Sequence, residues 1–209
     1  FLDSEQIAVI QKDGLTLQTL AGKPVEPVWN HIPWDPVSAE KGRYRHFMQK
    51  EIHEQVRSLS DTMVGRIDFD DYRIMLPDLH LTADEAQHIR KIFITACGTA
   101  YHAGLVGKIL IEQIAHIPVE VMVASEFRYL DPIIDEGTVV LAISQSGETA
   151  DTLAAMEEGR RKGAKLWSIV NAIGSQAMRG ADGSISMQVG PEIGVASTKA
   201  FTAPILDLY

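Results

Sequence analysis

The chain has 209 residues, of which 45% are hydrophobic and 22% are charged, and its formal net charge at pH 7 is −9. This composition is ordinary for a globular protein of one domain or slightly more, and no apolar run approaches the roughly 18 residues that a membrane span requires. A basic surface, which nucleic acid binding demands, is not expected from so acidic a chain. The single cysteine, Cys97, excludes an internal disulfide framework and favours a reducing cytoplasm.

The first forty residues predict a short β-rich segment followed by a linker. Apolar runs at 7–10 and 15–18 flank Lys12-Asp13-Gly14, a typical hairpin turn. Two strands are not a stable unit alone, so we interpret them as the tail of a truncated β-rich domain. Prolines among polar residues predict a linker over 31–40. The chain also begins at Phe1 and ends within a helical pattern, which suggests a piece of a longer protein.

The next segment predicts a helix, an extended crossing and a second, shorter helix. Residues 44–55 have a mixed apolar stripe of Phe47, Met48 and Ile52, and residues 61–83 are polar and irregular. Thr82 and Glu85 have the spacing of a capping box, which predicts a helix start.

From residue 91 onward, strands and helices alternate. Strands are predicted over 92–95, 119–123, 139–143, 165–170 and 185–189, and helices over 101–116, 125–128, 150–162, 175–179 and from 197. This alternation predicts an α/β fold, a five-stranded parallel sheet with helices on both faces.

The turn at 144–149 (SQSGET) is the strongest candidate for a binding site. It follows the buried strand at 139–143 and precedes a helix whose predicted buried face contains Ala150, Leu153 and Ala154. A helix start presents unpaired N–H groups and a positive dipole end, and hydroxyls with a glycine complete a phosphate site. A second turn, at 98–100, would face the same anion if the two strands are neighbours.

One other interpretation of this turn is open, and a further one is excluded. Ser146 or Thr149 could simply cap the helix, as such residues often do. A P-loop is excluded because no Gly-Lys-Ser/Thr follows, so a nucleoside triphosphate is not expected.

The motifs resemble the glucosamine-6-phosphate synthase family, the isomerising glutamine–fructose-6-phosphate aminotransferases. The residues that carry the resemblance lie in five runs, 44–52 (YRHFMQKEI), 97–104 (CGTAYHAG), 124–129 (ASEFRY), 144–152 (SQSGETADT) and 190–201 (GPEIGVASTKAF). The resemblance implies that residues 1–38 end a glutaminase domain, 39–89 form a linker and connecting helix, and 90–209 form the first of two sugar isomerase (SIS) subdomains.

The resemblance also implies the residues that contact a sugar phosphate. These are Thr99, Ser144, Gln145, Ser146, Thr149, Val195 and Ser197. The chain departs from the family at Ala100, where many members have serine, and at Val56, where many have proline. The first departure removes one hydroxyl contact or replaces it with a backbone contact, and the second lets the helix at 44–55 continue.

Five further residues invite a functional interpretation that we decline or weigh below a structural one. Cys97 is expected to pack in the core, His102 to be structural, and Glu148 to stabilise a helix start. Lys199 is expected to be solvated or salt-bridged, whereas Glu192 is a weaker candidate for a sugar contact. The seven histidines have no metal-ligand spacing, so no metal and no cofactor are predicted.

The family would convert fructose 6-phosphate and glutamine to glucosamine 6-phosphate and glutamate, in the cytoplasm and as a homodimer. The resemblance places most catalytic groups in the second SIS subdomain and in the partner subunit, outside this chain. No catalytic residue is therefore assigned, and this chain alone is expected to be inactive. Two alternatives remain at this point, a non-enzymatic SIS sensor of sugar phosphates and a sugar-phosphate isomerase that does not transfer an amine.

Overall fold

A computed structural model describes residues 2–29, 31 and 35–209, which fall into two units, one within residues 1–33 and one within 34–209. In the first unit, β1 (Gln6–Gln11) and β2 (Gly14–Thr19) form an antiparallel pair in which Gln11 faces Gly14. The predicted hairpin is confirmed, but Gly14 opens the second strand rather than forming the turn. Of the predicted linker, residues 32–34 lie outside the described residues, and Pro36–Ala39 form a single 3-10 turn.

The segment before the sheet contains two helices and a small ribbon. Helix α1 spans Phe47–Met63, and β3 (Ile67–Asp68) pairs with β4 (Arg73–Ile74) in place of a purely irregular crossing. Helix α2 (Ala83–His88) begins with the predicted capping box, in which Thr82 and Glu85 each bond the other's backbone. Helix α1 continues through Val56, as the departure from the family pattern implied.

The sheet has five parallel strands, and it confirms the predicted fold class. The strands are β5 (Lys91–Ala96), β6 (Val119–Val123), β7 (Thr138–Ser144), β8 (Lys165–Val170) and β9 (Gly183–Ser186), in the spatial order β6-β5-β7-β8-β9. The last strand was predicted at 185–189, which is wrong by about two residues, because the chain leaves the sheet after Ser186.

Helices cover both faces of the sheet. They are α3 (Gly98–Ile114), α4 (Ala124–Phe127), α5 (Ala150–Arg161), α6 (Gln176–Gly180) and α7 (Lys199–Leu208). Helices α3 and α7 pack against one face, where Ile94, Leu141 and Ile169 lie. Helices α4, α5 and α6 pack against the other. Every residue of β7 is buried, as expected of a central parallel strand covered on both sides.

Two predicted helix faces differ from the observed ones. On α5 the fully buried residues are Thr152, Ala155, Met156 and Gly159; of the predicted face, Ala150 is exposed, whereas Leu153 is partly buried and packs against the core. On α1 the buried residues are polar, whereas the predicted stripe is largely outside, with Met48 42% and Ile52 47% exposed. The polar side chains of α1 are buried because they bond backbone, as Thr62 Oγ1 does to the Met187 carbonyl at 2.7 Å.

Candidate functional site

The site lies where the order of the strands reverses. Strand β5 has β6 on one side and β7 on the other, so the turns after β5 and β7 diverge and leave a crevice at their carboxyl ends. A pocket of about 190 Å³ occupies this crevice. The structure brings all the predicted ligand residues to its lining: Thr99, Ser144, Gln145, Ser146, Thr149, Val195 and Ser197.

The turn after β7 is held in shape by its own hydroxyls. The Gly147 N–H donates to Ser144 Oγ at 3.0 Å, and the Glu148 N–H donates to Ser146 Oγ at 3.2 Å. Ser144 Oγ also lies 3.2 Å from Thr149 Oγ1. Ser146 Oγ accepts an amide hydrogen, so the Ser146 hydroxyl hydrogen remains available as a donor toward the pocket, whereas one of the Ser144 and Thr149 hydroxyl groups donates to the other.

Position 147 requires a glycine for two reasons, its backbone conformation and the closeness of Ser175. Its φ is +63°, and a Cβ built on it would lie 2.1 Å from Ser175 Oγ. A residue with a side chain would therefore strain the turn and displace the segment before α6. On its far side, the Gly147 carbonyl accepts the Ala177 N–H at 3.0 Å. The turn is thus fixed to the start of α6.

The start of α5 is not capped by a side chain. Thr149 is its N-cap residue, yet no side-chain oxygen accepts from the first turn, so the interpretation of Thr149 as only a cap is wrong. The N–H groups of Ala150 and Asp151 have no acceptor in the described part of the chain. Unpaired N–H groups and the helix dipole favour an anion at this position.

Three predicted ligands keep side-chain donors unused. The Thr99 hydroxyl, the Gln145 amide and the Ser197 hydroxyl make no hydrogen bond with any described residue. Thr99 lies in the first turn of α3 and Ser197 just before α7. Val195, whose side chain is fully exposed, offers only its backbone groups for polar contact.

The pocket is lined almost wholly by neutral groups. Among the described residues that line it, none is Lys, Arg or His, and the one ionisable acid is Glu192. Glu192 Oε1 accepts from the Thr198 N–H and hydroxyl, both at 2.9 Å, and from the Ala200 N–H at 3.2 Å. Glu192 therefore satisfies the start of α7, which leaves the starts of α3 and α5 for an anion.

Some pocket residues were not predicted as ligands. Thr152 has a fully buried hydroxyl oxygen without a hydrogen-bond partner among the described residues, and it lines the pocket one helical turn after Thr149. Its signal was the i, i+3 spacing from Thr149. Cys97 also lines the pocket; it is half-buried and packs against the core on the face covered by α4, α5 and α6, so its predicted core packing is confirmed in part. Ala100 presents no hydroxyl to the pocket.

Three further candidates from the sequence, His102, Glu148 and Lys199, do not line the pocket. His102 is exposed on α3, and its ring contacts that of Tyr101 edge-on, with the ring centroids 5.5 Å apart. Glu148 accepts the Gln176 N–H at 2.8 Å, so it stabilises the start of α6 rather than that of α5. Lys199 is salt-bridged to Glu54 at 2.9 Å, as predicted, but it is 2% exposed rather than solvated.

Two other features, a metal site and a membrane-spanning helix, are absent from the described residues. No group of three or more His, Cys, Asp or Glu side chains there could hold a metal ion. In that same part of the chain, no helix combines the length and the apolar character that crossing a bilayer requires.

The fold and the pocket agree with a comparison against known families. The model of the SIS domain matches residues 87–208, which is more than half of the chain. The chain belongs to the SIS domain family. The matched residues contain the whole five-stranded sheet and every residue that lines the pocket.

The likeness to known proteins extends beyond the matched domain to the full chain. The glutamine–fructose-6-phosphate aminotransferase (isomerizing) of Caldanaerobacter subterraneus subsp. tengcongensis is 50% identical over 209 residues, which are 100% of this chain and 34% of that protein. The one from Symbiobacterium thermophilum is 50% identical over 202 residues, 97% of this chain and 33% of that protein. This SIS chain thus spans about a third of the length of the curated relatives that it matches.

A solved structure supports the same likeness. The C-terminal domain of glucosamine-fructose-6-phosphate aminotransferase from Francisella tularensis is 38% identical, with a TM-score of 0.74, over 81% of this chain and 47% of that one.

Proposed function

We propose that this SIS chain binds the phosphate of a sugar phosphate in the pocket between β5 and β7. The observation that supports this is the convergence of unused neutral donors with the uncapped start of α5. Hydroxyls of Thr99, Ser146 and Ser197 and the amide of Gln145 provide donors for several phosphate oxygens at once. The relatives are named for fructose 6-phosphate, a ligand with such a group.

We further propose that the chain is the phosphate-binding part of an enzyme that makes glucosamine 6-phosphate and glutamate from fructose 6-phosphate and glutamine. Residues 1–38 would end its glutaminase domain, 39–89 would connect, and 90–209 would be its first SIS subdomain. Identity of 50% with relatives of that name over the whole chain supports the assignment.

This chain alone is expected to be inactive. Proton transfer between sugar carbons needs general acids and bases, and the one ionisable acid at the pocket, Glu192, is engaged with the start of α7. Binding the non-reacting phosphate would still contribute to catalysis in the intact enzyme, because it positions the reacting end.

Two further properties are proposed for the intact protein. Residues of α3 that are apolar and exposed, Leu105, Val106 and Ile109, support a homodimer. The single cysteine supports the cytoplasm as its location.

Ligand binding can be tested on this chain. Glucosamine 6-phosphate at about 100 times its dissociation constant should raise the free energy of unfolding by about 2.7 kcal/mol. Unphosphorylated glucosamine at the same concentration is the control and should give no comparable increase. An equal effect of both sugars, or of neither, would contradict a phosphate site.

Activity is tested on the longer protein that contains this chain. It should form glucosamine 6-phosphate only when glutamine and fructose 6-phosphate are both present. A sensor would form no product, and a simple isomerase would convert the sugar phosphate without glutamine.

A further inference from the structure

A buried acid on α1 holds the loop that forms one wall of the pocket. Glu51 is 2% exposed, and its Oε1 accepts the N–H of Ile193 at 2.7 Å and that of Gly194 at 3.0 Å. A carboxylate is costly to bury unless it is hydrogen-bonded. Here its partners are two consecutive amides of a loop that has no regular structure of its own.

The loop approaches α1 as closely as its backbone allows. A Cβ built on Gly194 would lie 2.5 Å from Glu51 Oε2 and 3.4 Å from the backbone of Met48. Gly194 itself lines the pocket, together with Val195 and Ser197. The contact with Glu51 therefore sets the position of this wall of the pocket.

One turn further along α1, a second acid holds the ends of the same loop. Glu54 pairs with Lys199 Nζ at 2.9 Å, and that ammonium group also donates to the Pro191 carbonyl at 2.8 Å. Lys199 is buried at the start of α7. Because Glu51 and Glu54 are three residues apart, they share one face of the helix.

We propose that Glu51 is a positioning residue for the pocket, although it lies outside residues 87–208 and does not line the pocket. It fixes the backbone at 193–194, and so sets the distance of Ser197 from the turn after β7. This inference rests on the proposed sugar-phosphate site, and it assigns part of that site's affinity to α1.

The first test needs no ligand. Glu51→Gln replaces the carboxylate with a neutral acceptor and brings an NH₂ group near the Gly194 N–H, so exchange of the Ile193 and Gly194 amide hydrogens should become about tenfold faster. Asp61→Asn is the matched control, since Asp61 is a half-exposed acid on α1 that pairs with Arg57. Unchanged exchange at both loop amides in Glu51→Gln would overturn the proposal.

The second test measures affinity for glucosamine 6-phosphate by calorimetry. Glu51→Gln should bind about tenfold more weakly than the unmodified chain, and Asp61→Asn should bind equally well. Equal affinity in Glu51→Gln contradicts the positioning role but leaves the sugar-phosphate site intact. Absence of binding in the unmodified chain contradicts both.

Gly194→Ala gives an approach from the loop side if Glu51→Gln does not fold. The added methyl group would displace the loop while leaving α1 unchanged, so faster exchange at Ile193 and weaker binding are expected. Normal exchange and normal affinity in this variant would overturn the proposal.

Discussion

The hydroxyl oxygen of Ser144 lies 3.2 Å from that of Thr149, which joins the last residue of β7 to the residue that precedes α5. This contact closes the turn on itself. Ser144, Gln145, Ser146 and Thr149 of the same turn all line the pocket, so the hydroxyl groups that shape the turn also lie at the proposed anion site.

Ser146→Ala should weaken binding of glucosamine 6-phosphate by about tenfold to a hundredfold, since a hydrogen bond to a charged group contributes about 1.5–3 kcal/mol. Calorimetric titration measures the change. Ser60→Ala, at an exposed serine of α1, is the control and should bind normally. Normal affinity in Ser146→Ala would reduce Ser146 to a residue that only shapes the turn.

Gly147→Ala should lower the free energy of unfolding by about 2 kcal/mol or more, because a side chain there has an unfavourable φ and meets Ser175 Oγ. Gly163→Ala is the matched control, with a φ of +90° and open space around the Cβ position. Denaturant titration should show a clearly smaller loss for Gly163→Ala. Equal losses would mean that the contact with Ser175 contributes nothing.

Asp207 should make the stability depend on pH. Burial raises the pKa of Asp207 from 3.8 to about 7, although Arg66, at 2.7 Å, opposes the increase. The folded state then keeps a proton that the unfolded state loses, so stability is present at low pH and is lost as pH rises through about 7. From pH 5 to pH 8 this group should reduce the free energy of unfolding by about 3 kcal/mol.

Asp207→Asn should remove that pH-dependent loss, which denaturant titrations at the two pH values would show. Asp131→Asn is the control. Lys162 lowers the pKa of Asp131, so its contribution is lost only as pH falls below the usual carboxyl range. If the free energy of unfolding of Asp207→Asn still decreased as much between pH 5 and pH 8, the pH dependence would not come from Asp207.

Binding of the sugar phosphate should depend only weakly on salt. No cationic side chain is among the described residues that line the pocket, and the amides at the start of α5 are fixed dipoles rather than mobile charges. Raising sodium chloride from about 50 to about 500 mM at constant pH should change the dissociation constant less than about fivefold. A much steeper decrease would indicate that distant lysines or arginines supply the affinity.

The sheet and the turn could be predicted from sequence because both depend on local patterns. The apolar runs of β5, β7 and β8 are short, continuous and bounded by turn residues, so their ends were predicted to within about a residue. Polar residues directly after β7 indicated the turn, and parallel strands place such turns at one edge of the sheet.

The helix faces and the wall of the pocket could not be predicted in this way, because they depend on tertiary partners. A pattern that counts apolar residues chooses Met48 and Ile52 for the inner face of α1, yet Glu51 is buried there since distant backbone amides compensate its charge. Likewise, Glu148 lies beside α5 in sequence but bonds the start of α6. Contacts across more than a hundred residues leave no periodic signal.

The contacts of α1 have a consequence for anyone who shortens the chain. Expression from residue 87, where the family match begins, would omit Glu51 and Glu54. Lys199 would then lose its carboxylate partner, and the amides of Ile193 and Gly194 would lose their acceptor. A minimal soluble version of this domain should therefore start upstream of Phe47, even though the shorter piece contains the whole sheet.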